Sequence, residues 1–178
     1  MKLVLDASVA LSGLYTRAAA QEAMVAQHLL ASIDNFEIRV PAHWHIEVAN
    51  GMLRLERAGQ LASAKIAKFV RQMDRLALLA DTPPTAERAT AIHKLAQNHG
   101  LTAYDAAYVE LTIRSGSDLA TFDRKLSDAA RACGVAVFGQ PHGMAEPWAA
   151  YGSNPEASAD TDTERPTAPP YFTPYLVR

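Results

Sequence analysis

The chain has 178 residues, 49% of them hydrophobic and 20% charged, with a formal net charge of −2. This composition is typical of a globular protein and excludes a fibrous or wholly disordered chain, and the length suits a single domain. Because the net charge is small and negative, any nucleic acid would have to be bound through a local patch or through metal ions. Cys133 is the only cysteine, which excludes a disulfide framework.

Short apolar runs alternate with amphipathic or alanine-rich segments over residues 1–138. The runs predict strands and the longer segments predict helices. The predicted strands are 2–6, 36–41, 78–81, 118–122 and 135–138. The predicted helices are 7–13, 18–33, 43–59, 61–79, 85–98, 102–115 and 124–132. Strands that alternate with helices indicate an α/β fold in which a mostly parallel sheet is covered by helices on both faces.

The character of the chain changes at about residue 139. Residues 139–178 are rich in proline and carry more acidic than basic side chains, without helical or strand periodicity. We expect an acidic C-terminal tail that is flexible. No apolar run approaches the ~20 residues that cross a bilayer, and the N-terminus lacks the pattern of a secretory signal. We therefore expect a cytoplasmic protein with no membrane partner.

Two acids stand directly after predicted strands. Asp6 ends the first apolar run, and Asp123 follows the fourth. In open α/β sheets ligands lie beyond the carboxyl ends of the strands, so both acids face the usual site. Each could instead cap the helix that follows, because an Asp side chain accepts hydrogen bonds from the free N–H groups there. Taken singly, each acid is better explained by capping.

Two more acids lie near predicted helix starts. Asp105 is three residues after Thr102, which is close to a capping box, although Glu or Gln is the usual residue at that place. Glu47 lies in a helical segment, where a solvated helix face would account for it alone. Both acids therefore have a simple structural interpretation as well as a functional one.

As a set, the four acids are harder to explain by capping. Two carboxylates about 4 Å apart repel each other by on the order of 4 kcal/mol at an effective dielectric of about 20. Several such pairs would exceed the net stability of most domains, so the cluster requires protonation or a cation. Oxygen ligands without cysteine suit Mg²⁺ or Mn²⁺, and such ions activate water for phosphodiester hydrolysis. The predicted metal-binding acids are Asp6, Glu47, Asp105 and Asp123.

Neighbouring polar residues leave several roles open. The Thr121 hydroxyl could bond a ligating carboxylate or the phosphate that is cut, whereas Ser8 is better explained as a helix cap. His43 and His45 are two residues apart and do not face each other on a helix, so a zinc pair is disfavoured.

Four stretches together resemble a known family. They are LVLDAS at 3–8, P-x5-EVAN at 41–50, LTAYDAAY at 101–108 and LATFDRK at 119–125. They resemble the four acidic motifs of PIN-domain ribonucleases, specifically the VapC-type toxins of bacterial toxin–antitoxin pairs. The resemblance covers about residues 1–138, in the right order, and its third motif is the most specific. The tail departs from the family, whose members usually stop close to the last strand.

The resemblance implies a three-layer α/β/α sandwich with a parallel sheet, formed by a nuclease domain at 1–138. It also implies an Mg²⁺- or Mn²⁺-dependent endoribonuclease that forms a homodimer and is inhibited by a cognate antitoxin. Asp6, Glu47, Asp105 and Asp123 match the family's metal-binding acids, and Thr121 matches a position where a hydroxyl is common. We expect cleavage of structured RNA, either a tRNA or a ribosomal RNA loop.

Two other functions stay open at this point. The first is a phosphatase or phosphotransferase with Asp6 as nucleophile, although the haloacid-dehalogenase pattern expects a second Asp where this chain has Ser8. The second is a PIN fold that has become a non-catalytic protein-binding module. Loss of one acid would favour that module, but all four are present.

Overall fold

The structure, a computed structural model, describes residues 1–14 and 20–139. The predicted tail at 139–178 lies outside the described residues apart from Gly139. Within the two described ranges, no helix combines the length and the apolar character needed to cross a membrane.

Four parallel strands form the central sheet in the order β3-β2-β1-β4. The strands are β1 Lys2–Leu5, β2 Glu37–Val40, β3 Leu78–Ala80 and β4 Asp118–Ala120. Leu3 of β1 stands opposite Ile38 on one side and Asp118 on the other. Since β1 has neighbours on both sides and Leu3 and Val4 are fully buried, it is one of the two inner strands of the sheet. The carboxyl ends of all four strands meet at one edge, because the strands are parallel.

Seven helices accompany the sheet in the described ranges. They are α1 Ala7–Leu11, α2 Ala20–Ala31, α3 Trp44–Arg57, α4 Ser63–Met73, α5 Ala86–His99, α6 Ala103–Ser115 and α7 Arg124–Ala132. Helix α6 packs against β1, β4, α5 and α7, and its residues Ala106, Val109 and Thr112 are fully buried. A helix buried on most of its circumference is part of the core, so the start of α6 is held firmly beside the ends of β1 and β4.

Helices α1 and α3 approach each other closely at Gly51. A Cβ atom added to Gly51 would lie 2.2 Å from Cδ1 of Leu11, which is well inside van der Waals contact. The absence of a side chain at Gly51 therefore allows α3 to lie near the carboxyl end of β1, where Asp6 precedes α1.

The predicted α/β fold with a parallel sheet is confirmed, with differences at some boundaries. The helix predicted at 61–79 is shorter, because the chain leaves it after Met73 to enter β3. The strand predicted at 135–138 is reduced to one bridge between Val137 and Leu119. Gly134 and Gly139 flank it with left-handed φ angles of 77° and 76°, so the extended segment has room for few residues.

Candidate active site

Asp6 lies at the end of β1 and is 8% exposed. It occupies the N-cap position of α1, but its side chain makes no capping hydrogen bond. Its Oδ2 instead accepts hydrogen bonds from Ser8 Oγ at 2.5 Å and from Thr121 Oγ1 at 2.7 Å. Burial raises the pKa of the Asp6 carboxyl, the two hydroxyls counteract part of that effect, and the charge of Asp105 adds to it. The Ser8 backbone also hydrogen-bonds to the carboxylate, but the two hydroxyls have the larger effect on its pKa.

Ser8 connects two parts of the site. Its hydroxyl donates to Asp6 and accepts from the backbone N–H of Phe122 at 3.2 Å. The expectation that Ser8 caps a helix is wrong, because the N-cap of α1 is Asp6 and the Ser8 hydroxyl is engaged with the segment after β4. That contact joins residues 114 positions apart in the chain.

Glu47 lies in the first turn of α3 and is half-buried. The Tyr108 hydroxyl donates a hydrogen bond to its Oε2. Burial raises the pKa of the Glu47 carboxyl against the lowering effect of that bond, and the charges of Asp6 and Asp105 raise it further. Glu47 is thus not on a solvated helix face but turned toward the other acids.

Asp105 lies in the first turn of α6, whose N-cap is Thr102. Thr102 Oγ1 accepts from the Asp105 backbone N–H at 3.1 Å and donates to Asp105 Oδ2 at 2.7 Å. The predicted cap at Thr102 is confirmed, but the acid bonds the Thr102 hydroxyl. One oxygen of Asp105 is therefore held by the cap, while its charge still acts on Asp6 and Glu47.

Asp123 is the N-cap of α7, and its Oδ1 accepts from the Leu126 backbone N–H at 2.8 Å. Its own backbone N–H donates to Thr121 Oγ1 at 3.0 Å, and the same oxygen donates to Asp6. Capping therefore does explain one oxygen of Asp123. Thr121, 6% exposed, is the link between Asp123 and Asp6.

Tyr108 was not singled out from the sequence. It is 1% exposed, its hydroxyl donates to Glu47, and the backbone of Ala7 also hydrogen-bonds to that hydroxyl. Burial, then the charge of Asp6 and the bond to Glu47, raise the pKa of the Tyr108 phenol far above its usual range, so the group stays a proton donor. The available signal was its position three residues after Asp105, on the same face of a helix.

His43 also belongs to this site rather than to a zinc pair. Its Nε2 lies 3.6 Å from Glu47 Oε2, beyond hydrogen-bonding distance, and has no hydrogen-bond partner in the described part of the protein. Its ring makes edge contacts with Tyr108 at 5.5 Å and with Tyr104 at 5.3 Å between centroids. Burial lowers the pKa of the imidazole, and the charge of Asp105 opposes that shift.

Three of the four predicted acids, Asp6, Glu47 and Asp105, interact through their charges. The charge of Asp105 raises the pKa of Asp6 and of Glu47, and the charge of Asp6 raises that of Glu47. All their donor atoms are hard oxygens, which suit Mg²⁺ or Mn²⁺, and their mutual repulsion would be relieved by a cation. Within residues 1–14 and 20–139, no three acidic, histidine or cysteine side chains are spaced closely enough to form a finished metal site. An ion that keeps several of its waters does not need direct contact with every carboxylate, so the donor set fits such an ion.

Comparison with known proteins identifies the family. A profile of the PIN domain matches residues 3–132. Ribonuclease VapC3 of Pyrobaculum aerophilum is 31% identical over 128 residues, which cover 72% of this chain and 94% of that protein. Ribonuclease VapC9 of Mycobacterium tuberculosis is 31% identical over 136 residues, which cover 76% of this chain and 97% of that protein.

Solved structures share the fold. A Pyrobaculum aerophilum protein has a TM-score of 0.56 at 24% identity, covering 78% of this chain and 90% of its own. The structure of VapBC2 from Rickettsia felis, bound to a promoter DNA fragment, has a TM-score of 0.53 at 14% identity, covering 77% of this chain and 97% of that chain. The α/β fold with its parallel sheet is that of PIN domains. The chain belongs to the PIN-domain family, among its VapC-type members.

Proposed function

We propose that this protein is an Mg²⁺- or Mn²⁺-dependent endoribonuclease, the toxin of a toxin–antitoxin pair, that cuts structured RNA in the cytoplasm. The observation that carries the proposal is the group of Asp6, Glu47 and Asp105 at the carboxyl edge of the sheet, where burial and neighbouring negative charge, including that of Asp105, raise the pKa of Asp6 and of Glu47. The names of the VapC relatives support the reaction, since both are ribonucleases.

A bound Mg²⁺ or Mn²⁺ would supply a Lewis acid for the phosphodiester and lower the pKa of a water. Asp6, Glu47, Asp105 and Asp123 are the residues that would hold it. Ser8 and Thr121 orient Asp6, since both hydroxyls donate to the same carboxylate oxygen. Thr121 also fixes the start of α7 through the backbone of Asp123.

Tyr108 orients Glu47 in the same manner. From α6, its hydroxyl hydrogen-bonds to the Glu47 carboxylate on α3 and to the Ala7 backbone at the start of α1. One buried phenol therefore connects the three helices that surround Asp6. Because its pKa is raised, the phenol remains protonated and acts as a hydrogen-bond donor rather than as a base.

The experiment is cleavage of total tRNA and ribosomal RNA by purified protein. We expect cleavage with Mg²⁺ or Mn²⁺. EDTA should stop it, and the Asp105→Asn variant should lack it. Asp128→Asn is the matched control, because Asp128 is an exposed acid paired with Arg131 on α7, and it should stay active. Cleavage that persists in EDTA, or phosphatase activity lost in Asp6→Asn without any RNA cleavage, would contradict the proposal.

The same proposal includes a cognate antitoxin and a homodimer. It is supported by membership of the VapC-type group, in which the Rickettsia felis VapBC2 structure was solved with promoter DNA. Expression of the chain alone should arrest growth, and Asp105→Asn should relieve the arrest. Co-expression with the product of a neighbouring small gene should also relieve it, and the purified protein should elute at twice the monomer mass. A monomer, or arrest that persists in Asp105→Asn, would count against these parts.

A further inference from the structure

An aromatic row leads from the solvent to the candidate active site. The row consists of Tyr104, His43 and Tyr108. Tyr104 and Tyr108 lie four residues apart on α6 and so share a face, and the His43 ring contacts both edge-on, at interplanar angles of 67° and 88°. The inner end, Tyr108, is buried and bonds Glu47. The outer end, Tyr104, is 63% exposed.

Tyr104 contributes little to the core but is held in place. Most of its ring surface stays in contact with water, so burial gives it little stabilising energy. The edge contact with His43, together with its position in the first turn of α6, restrains a side chain that has only two torsions. An exposed aromatic ring that is already restrained loses little entropy when another flat ring stacks on it.

Because the chain has a small negative net charge, contacts that do not depend on charge can contribute to its affinity for RNA. The formal net charge is −2, and the acids beside Tyr104 repel phosphate when no cation is bound. A positive field over the whole protein therefore does not supply the affinity. Stacking of a base on an aromatic side chain is independent of charge and works for every base, because each base has a π-face.

We propose that Tyr104, supported by His43, is a stacking platform for an unpaired nucleobase of the nucleotide that adjoins the phosphate to be cut. This inference rests on the proposed ribonuclease function and adds the substrate feature that is recognised. The His43 ring contacts Tyr104, and its Nε2 lies 3.6 Å from Glu47 Oε2, so a base stacked on Tyr104 lies near that acid. A base within a duplex is already stacked on its neighbours, so the platform selects loops and other splayed-out bases.

The test uses an RNA that the wild-type protein cuts, located by sequencing the ends produced from total RNA. A base on either side of the cut is replaced by 2-aminopurine, whose fluorescence falls when it stacks. Single-turnover cleavage is then followed at increasing protein concentration, which separates the half-saturating concentration from the maximal rate. The variants are Tyr104→Leu, Tyr104→Phe and Tyr104→Trp, and the control is Ile113→Ala, since Ile113 is an exposed apolar residue on the same helix.

Wild-type protein, Tyr104→Phe and Tyr104→Trp should quench the fluorescence and reach half-saturation at similar or lower concentrations. Tyr104→Leu should abolish the quenching and raise the half-saturating concentration about 5- to 150-fold, the usual range for losing one stacked base. Ile113→Ala should match the wild type. If the Leu variant proves unstable on heating, the Trp variant decides, because a larger stacking face should not weaken binding.

Wild-type half-saturation in Tyr104→Leu would overturn the platform, as would a Phe variant as weak as the Leu variant, which would place the role in the hydroxyl. Weaker binding by the Trp variant would count against it too. The proposed function fails in a different way, namely if the wild-type protein cuts no RNA with either Mg²⁺ or Mn²⁺.

Discussion

Replacing Tyr108 with Phe removes one oxygen atom from the centre of the candidate site and leaves the buried ring in place. That oxygen donates to Glu47 and is hydrogen-bonded by the backbone of Ala7. Because Tyr108 is 1% exposed, no water can easily take the place of its hydroxyl in the variant. The change therefore isolates the hydrogen bonds from the packing of the ring.

The expected loss follows from the type of bond. A hydrogen bond to a charged group contributes about 1.5–3 kcal/mol, and a neutral one about 1 kcal/mol. The Glu47 side chain is 31% exposed, so solvent recovers part of its hydration when the phenol is removed. We therefore expect Tyr108→Phe to lower the free energy of unfolding by about 1–2 kcal/mol, or roughly 2–8 °C in melting temperature.

Urea unfolding followed by circular dichroism, in EDTA near neutral pH, measures this difference. Tyr104→Phe is the matched control, because it removes the hydroxyl of an exposed tyrosine from the same helix and should change the stability little. Equal unfolding free energies for Tyr108→Phe and the control would refute the role given to the Tyr108 hydroxyl. A larger loss with a changed urea dependence would instead indicate repacking of the core.

Two other substitutions test the packing and the charge of the site. Gly51→Ala should not raise the melting temperature, because an overpacking cost of about 1–3 kcal/mol where the new Cβ meets Leu11 cancels or exceeds the ~1 kcal/mol by which Ala is favoured over Gly in a helix; a raised melting temperature would contradict this close approach. The pKa of Asp6 in the folded state is raised above its ordinary value of 3.8. Between the ordinary pKa and the raised one, the folded protein binds more protons than the unfolded chain, so the free energy of unfolding falls as pH rises. Asp6→Asn should therefore weaken this decline in metal-free protein, measured by urea unfolding over a pH series, and should abolish stabilisation by Mg²⁺ at neutral pH. A pH dependence identical to that of the wild type would show that Asp6 is not the group responsible.

Local patterns were sufficient to predict the α/β fold with its parallel sheet. An apolar run followed by an acid predicts a strand end, and parallel strands bring such ends to one edge, so Asp6 and Asp123 were expected near each other. The Thr102 and Asp123 caps also follow from neighbouring residues alone. These features depend on contacts within a few positions of each other.

The remaining features depend on contacts between distant parts of the chain. Serine is a common helix cap, but the Ser8 hydroxyl hydrogen-bonds to a backbone N–H 114 residues away. The Tyr108 hydroxyl bonds Glu47 at a separation of 61 residues. A local pattern carries no information on either contact. The strand expected at 135–138 is a single bridge to β4 in the structure. Strand propensity does not reveal how many residues of a neighbouring strand are available for pairing.

The proposed function requires that the acids at the carboxyl edge of the sheet hold the divalent cation that serves RNA cleavage. Anomalous diffraction from crystals soaked in MnCl₂ tests this requirement, because it locates manganese independently of the protein atoms. We expect one strong anomalous peak beside the carboxylates of Asp6 and Asp105, within reach of Glu47 through a water. A manganese peak at other residues, or none at this edge when manganese supports RNA cleavage, would contradict it.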